Sequence, residues 1–257
     1  MKHIARKRFG QNFLTDNYVL DNIIEAIDPQ AGQAMVEIGP GLAAMTKLII
    51  KRMGHMHVVE LDRDLVARLE KSFTREQLTI HSGDALKFDF SLIPVPPGQK
   101  LRVVGNLPYN ISSPLLFHLA EFAHLIEDQH FMLQKEVVER MVAEPGSKVY
   151  GRLSVMLQWR YDMSLLFIVP PTAFDPPPQV ESAIVRMVPT RRQLPCDGPT
   201  LEAVVMKAFS QRRKVIRNCL AGMFTEAQLV EAGVDPGCRP ETVALEQYVA
   251  LANLLKR

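Results

Sequence analysis

The sequence predicts an α/β protein: a mostly parallel sheet with an antiparallel last strand, followed by a small all-helical domain. Two observations carry that expectation. From about residue 17 to 135, short apolar runs alternate with amphipathic stretches of helical period, and parallel strands need long crossover connections of that kind. Beyond residue 200 only helical spacing remains, after a segment rich in Pro and Gly. The expected boundaries are a first domain over 1–189, a linker over 190–199 and a helical domain over 200–257.

The elements follow in order. Tyr18 to Ile27 has helical spacing, Ala34 to Ile38 is a short buried-strand run, and Leu42 to Met53 returns to helical period. His57 to Leu61 is the next strand, followed by a charged amphipathic helix from Arg63 to Phe73. Leu78 to Ile80 and Leu101 to Gly105 are the third and fourth strands; Ser113 to Phe122 is helical and His130 to Leu133 a fifth strand. Leu165 to Val169 and Glu181 to Val188 are strand-like with no helix between them, so the sheet is expected to end in an antiparallel pair. Helices are expected at Leu201 to Phe209, Arg212 to Met223, Ala227 to Ala232 behind a Thr225/Gln228 capping box, and within Ala244 to Leu255.

The 257 residues are 47% hydrophobic and 23% charged, the balance of a soluble globular chain. Net charge is only +2, but it is unevenly spread. Lys2, Arg6, Lys7 and Arg8 open the chain without an acid, and Lys207, Arg212, Arg213, Lys214 and Arg217 form a second basic run. Such clusters suit a polyanionic partner or a solvated face, and both readings stay open here. The cysteines, Cys196, Cys219 and Cys238, are odd in number and far apart, indicating neither a disulfide framework nor a metal site. The basic N-terminus lacks the apolar stretch of a signal peptide, and no apolar run approaches the ~18 residues of a membrane span. The chain reads as cytoplasmic, without a membrane partner, and carries no oligomer signal, so a monomer is expected.

Four motifs fall at the ends of successive strands. Glu37-Ile38-Gly39-Pro40-Gly41 closes the first strand and lets backbone approach a ligand closely. Glu60 ends the second strand, where an acid can accept from both hydroxyls of a ribose. That pattern fits a nucleoside cofactor without separating NAD from S-adenosylmethionine. Asp84, in Ser82-Gly83-Asp84-Ala85, can read an adenine amine, which both cofactors possess. Asn106-Leu107-Pro108-Tyr109 ends the fourth strand. An exocyclic amine conjugated to a π-system is a poor nucleophile. An Asn carbonyl and a backbone carbonyl fixed by the following Pro can accept its two N–H protons and aim the lone pair, while an aromatic stacks on the flat substrate. A dehydrogenase has no use for a paired amine acceptor, whereas an amino-methyltransferase needs one. Phe174, before Pro176-Pro177-Pro178, is a rigidly presented aromatic suited to stacking on a base or else a core residue at a strand start.

Arg8 to Leu14 (RFGQNFL), the EIGPG loop, NLPYNISSPLLFHL from Asn106 to Leu119 and LQKEV from Leu133 to Val137 together resemble a known family. So do YGRLSV from Tyr150 to Val155, FDPPPQVESA from Phe174 to Ala183 and QRRKVIRN from Gln211 to Asn218. The chain is identified as a member of the KsgA-type small-subunit ribosomal RNA adenine N6,N6-dimethyltransferases, over nearly its whole length. The resemblance implies a Rossmann-like class I methyltransferase sheet with a small helical C-terminal domain. It implies S-adenosylmethionine as cofactor, held by Asn12, Leu14, Gly39, Glu60, Asp84 and Asn106, and no metal. It implies that the tetrad Asn106, Leu107, Pro108 and Tyr109 holds the target adenine, with Phe174 on the other face. The substrate implied is two adjacent adenosines in a hairpin loop near the 3′ end of 16S ribosomal RNA, in the immature small ribosomal subunit. Arg6, Lys7, Arg8, Arg212, Arg213 and Lys214 are expected to grip RNA phosphates. Family members often carry Lys after the Pro run, where this chain has Gln179, and Cys219 lies outside the motif. The rivals are a macrolide-resistance methyltransferase acting on large-subunit RNA, a non-catalytic assembly or transcription factor of the same descent, and, distantly, an NAD-dependent oxidoreductase.

Overall fold

Short, wholly apolar runs become central strands because both their faces are covered by helices. The computed structural model describes residues 12–211 and 213–256. In it β1 (Phe13–Leu14), α1 (Asn17–Ile27), β2 (Met35–Ile38), α2 (Ala44–Met53), β3 (Met56–Glu60), α3 (Arg63–Ser72), β4 (Leu78–Ser82), β5 (Leu101–Asn106) and α4 (Ser112–Glu121) follow in order. β6 (Ile126–Gln134), α5 (Lys135–Met141), α6 (Arg152–Gln158), β7 (Tyr161–Val169), β8 (Phe174–Asp175) and β9 (Ser182–Pro189) complete the strands. Seven of them form one sheet in the order β4-β3-β2-β5-β6-β9-β7, and β1 pairs with β8 in a separate two-stranded ribbon.

β2 pairs in parallel with β3 on one side and with β5 on the other. Chain connection therefore changes direction between β2 and β5, and a crevice opens beyond their carboxyl ends. That crevice depends on Gly105. A Cβ there would lie 2.7 Å from the Ile38 carbonyl oxygen and 3.0 Å from the Leu107 side chain, so only glycine lets β5 run this close to β2. At the opposite end of the same strand, buried Arg102 gives the buried Asp128 carboxylate two bonds of 2.8 Å. Its remaining N–H groups reach Gln33 Oε1 at 2.9 Å and the carbonyls of Asp28 at 3.2 Å and Ile27 at 2.5 Å. One side chain thus ties the end of α1 to β5 and β6.

The last strand in sequence, β9, is antiparallel to β6, as the sequence pattern predicts. Its place in space is less obvious: it lies between β6 and β7 rather than at the sheet's edge. β6 and β7 are also longer than expected, because Asp128 and Asp162 interrupt hydrophobic patterning without ending the strands.

The sheet's β4 side carries three imidazoles in contact. His57 Nδ1 and His81 Nε2 lie 3.1 Å apart, within hydrogen-bond distance, and His55 Nε2 lies 2.9 Å from Thr79 Oγ1. Burial, then the charges of His55 and His81, push His57 down from 6.5 to about 4, and burial lowers His81. In the unfolded chain His57 and His81 protonate near their ordinary value, while in the folded chain burial keeps these two neutral to lower pH. Their contribution to stability is therefore complete above pH 6.5 and is lost as pH falls from there to about 4. We expect His57→Leu to flatten the dependence of the urea midpoint on pH over this range. Parallel pH profiles for the variant and the parent would count against the assignment.

The structure divides into two compact units, one of residues 1–138 and 163–189, the other of residues 139–162 and 190–257. The division after 189 lies where the first domain was expected to end, but that stretch is not one unit: residues 139–162, from the middle of the chain, join the helical unit. The reason is packing: Val155, Met156 and Leu157 of α6 are buried, and α6 packs against α7 (Gly198–Phe209). Nor are residues 190–199 a free linker. Thr190 N donates to Arg160 O at 2.9 Å, Trp159 Nε1 to Leu194 O at 3.0 Å, and Asp197 caps α7 by accepting from Thr200 N at 3.0 Å. The helix expected over Arg212 to Met223 shrinks to α8 (Ile216–Cys219), with a turn before it and Gly222 at φ +78° after it. α9 (Glu226–Glu231) starts on the Thr225/Gln228 capping box, and α10 (Leu245–Leu254) closes the unit.

Candidate cofactor and amine site

The carboxyl ends of β2, β3, β4 and β5 enclose a cavity of about 320 Å³, within the ~300–1,000 Å³ usual for small-molecule sites. Asn12, Leu14, Gly39, Glu60, Asp84 and Asn106 all line it, as do Leu107, Pro108 and Tyr109. After β2 the chain turns through Gly39 at φ +65° and Gly41 at φ +58°. Both angles suit glycine, and at these two positions backbone rather than a side chain lines the cavity.

Glu60 ends β3 with only 6% of its surface exposed. One carboxylate oxygen accepts from Asp62 N at 2.8 Å, and the other has a long contact of 3.4 Å with Gly41 N. Burial, the first cause, raises its pKa. A buried acid facing a cavity gains most from donors arriving with a ligand, so a ribose diol fits the Glu60 carboxylate. Glu37, also buried against this cavity, accepts from Thr46 Oγ1 at 2.5 Å. Burial pushes it up to about 7, the Thr46 bond opposes that, and the Glu60 charge adds to it. Two buried acids in one cavity suit a cationic nucleoside ligand, which agrees with S-adenosylmethionine. Asp84 receives the Leu86 N–H at 3.0 Å, and Leu61 and Leu65 supply apolar wall between the polar groups. Among the described residues no group of His, Cys, Asp and Glu is placed to hold a metal ion, and no helix is long and apolar enough to cross a membrane.

The tetrad is held from outside itself. Asn106 Nδ2 donates to the Asn12 carbonyl at 3.0 Å. With its donor end held there, the amide's Oδ1 is the atom that can accept. Leu107 N donates to Met132 O at 3.1 Å, anchoring the tetrad to β6. Tyr109 is half-buried, and its hydroxyl lies 2.7 Å from Ser182 Oγ. Burial raises the phenol's pKa.

Phe174 is not brought to this wall. It is 4% exposed, packs with Leu14, Val169 and Ala173, and is absent from the cavity lining. This corrects the expected open stacking face. Pairing of β8 with β1 sets Phe174 opposite Leu14, which turns the ring into core. Arg6, Lys7, Arg8 and Arg212 lie outside the described residues; Arg213 and Lys214 are exposed in the helical unit. Sequence reasoning gave no role to Glu37, Leu61 or Ser182. Only Glu37 carried a signal, as a charged residue inside an otherwise apolar strand.

Comparison with known proteins follows the same line. A sequence model of the family described as ribosomal RNA adenine dimethylase matches residues 2–257. Ribosomal RNA small subunit methyltransferase A of Herminiimonas arsenicoxydans is 76% identical over 99% of this chain and 100% of its own length. The protein of that name from Dechloromonas aromatica is 55% identical over 98% of each chain. Among solved structures, the 23S rRNA methyltransferase ErmE superposes with a TM-score of 0.73 at 25% identity, covering 96% of this chain and 100% of that one. A dimethyladenosine transferase from Plasmodium falciparum, at 22% identity and a TM-score of 0.78, covers 93% of this chain and 95% of its own and shares the fold. This chain belongs to the ribosomal RNA adenine dimethylase family.

Proposed function

We propose that the chain transfers methyl groups from S-adenosylmethionine to the N6 amines of two adjacent adenosines in a hairpin loop near the 3′ end of 16S ribosomal RNA. Each base would receive two methyls, as a step in small-subunit biogenesis. The observation that carries this reading is the Asn106 amide, oriented by the Asn12 carbonyl and lining the same cavity as Glu60.

Glu60 would hold the cofactor's ribose and Asp84 its adenine amine, with Asn12, Leu14 and Gly39 as the remaining wall. When bound, that cofactor supplies an electrophilic methyl on a sulfonium. Asn106 Oδ1 and the Leu107 carbonyl accept the two N–H protons of the target amine and turn its lone pair toward the cavity. Pro108 restricts the Leu107 backbone, and Tyr109 stacks on the base. The base must leave its stack to reach the tetrad, which costs least in a loop. The small-subunit assignment is supported by the 76% identity to a relative named for that subunit, against 25% to the enzyme named for 23S rRNA.

Mass spectrometry of ribosomal RNA incubated with the chain and labelled S-adenosylmethionine tests this reading. Dimethyladenosine at two neighbouring positions of the small-subunit RNA is the expected result. Label confined to large-subunit RNA would overturn it. The partner proposed is the assembling subunit, met by a monomer in the cytoplasm, with exposed Arg213 and Lys214 on its phosphates. Reversing both charges should lower the slope of log K against log salt by about 1.5–2 and leave cofactor affinity unchanged. An unchanged slope removes these two residues from the RNA contact.

A further inference from the structure

Tyr109 is held at its backbone and at its phenol tip by two buried serines. Ser112 Oγ, at the start of α4, donates to the Tyr109 carbonyl at 3.1 Å. Ser182 Oγ, at the start of β9, meets the phenol oxygen at 2.7 Å. Ser182 is 0% exposed, and its backbone stands opposite Gln134 in the β6·β9 ladder. The next rung is tied as well: Lys135 N donates to Glu181 O at 3.0 Å, and Lys135 Nζ to the Glu181 carboxylate at 2.8 Å. A tyrosine ring swings about χ1 as a long lever, so packing on one side alone leaves its far tip free to move between rotamers. A hydrogen bond from the far tip to a sheet strand removes that freedom. Because Phe174 lies in the core, Tyr109 is the one aromatic of the expected pair that lines the cavity, and the placing of its ring matters more for that reason.

We propose that Ser182 is a positioning residue for base stacking: its hydroxyl pins the tip of the Tyr109 ring and so holds the ring in place where the target adenine is to stack. The inference rests on the proposed methyl transfer to adenine and adds a residue outside the tetrad. Ser182 touches neither substrate nor cofactor; it acts through Tyr109. The same segment, 174–182, packs Phe174 against Leu14 and carries the Tyr109 anchor, so the cofactor wall and the stacking ring share one stretch of chain.

A double-mutant cycle tests this. Ser182→Ala and Tyr109→Phe break the same bond from opposite sides, and Tyr109→Phe keeps the ring, so a folding defect in one variant does not stall the experiment. Each single variant should lower kcat for methyl transfer to small-subunit RNA by about ten-fold, with the cofactor Kd measured by calorimetry unchanged. The double variant should be no worse than either single one, because both act through one bond. Losses that multiply, or a folded Ser182→Ala chain with the parent's kcat, would overturn the positioning role. A parent chain that methylates no small-subunit RNA would instead sink the functional reading beneath it, so the two failures are told apart by the parent's own activity.

Discussion

Asn106→Ala is expected to lower the rate of methyl transfer by about 10²–10³-fold, the usual cost of removing one preorganised polar group from a reacting centre. The amide is not replaceable by a passing water. Its donor end is committed to the Asn12 carbonyl, so its acceptor end points in one direction before any substrate arrives. Alanine removes the acceptor and frees the segment at Asn12 together. The fold should survive, because one half-buried hydrogen bond is worth about 0.5–1.5 kcal/mol. Single-turnover transfer to small-subunit RNA, alongside a melting curve, separates the two effects. Asn106→Asp is the sharper control. A carboxylate cannot donate to Asn12 O, so the variant keeps an acceptor yet loses its orientation, and it too should be slow. Turnover near the parent's in either folded variant would remove the amide from the chemistry.

Arg102→Met is expected to cost about 3–5 kcal/mol of stability, far more than most surface changes. The guanidinium makes five hydrogen bonds, two of them to the buried carboxylate of Asp128. Methionine fills part of the volume but leaves that charge buried and unpaired, and strips donors from two carbonyls at the end of α1. Urea unfolding measures the loss. Adding Asp128→Leu should restore much of it, because the stranded charge is the main penalty and an apolar pair can replace a buried ion pair. If the double variant is as unstable as the single one, the α1 carbonyls rather than the charge dominate.

Much of this was legible in the sequence because its chemistry is local. Gly39, Glu60, Asp84 and Asn106 each sit where a strand ends, and a parallel sheet brings strand ends together whatever the details of packing. What failed depended on distant partners. Phe174 reads as a presented aromatic until β8 is seen to pair with β1, a ribbon of two residues per strand that no pattern announces. Ser182 reads as one more strand residue until β9 is placed beside β6, bringing its hydroxyl to Tyr109 across 73 positions of sequence. The place of residues 139–162 was missed similarly, since α6 shows its unit only through α7, which follows some forty residues later.

The insertion of β9 between β6 and β7 also bears on synthesis. A ribosome making this chain releases β6 and β7 before the strand that joins them exists. Until residue 189 has emerged, two apolar strands present open backbone edges, the usual template for unwanted pairing. The segment 139–162 waits likewise for residues 190 onward before its helices find their unit. Growth from one end therefore leaves both halves unfinished until late in translation. A nascent chain of this topology is most exposed to aggregation and proteolysis just before its last quarter appears.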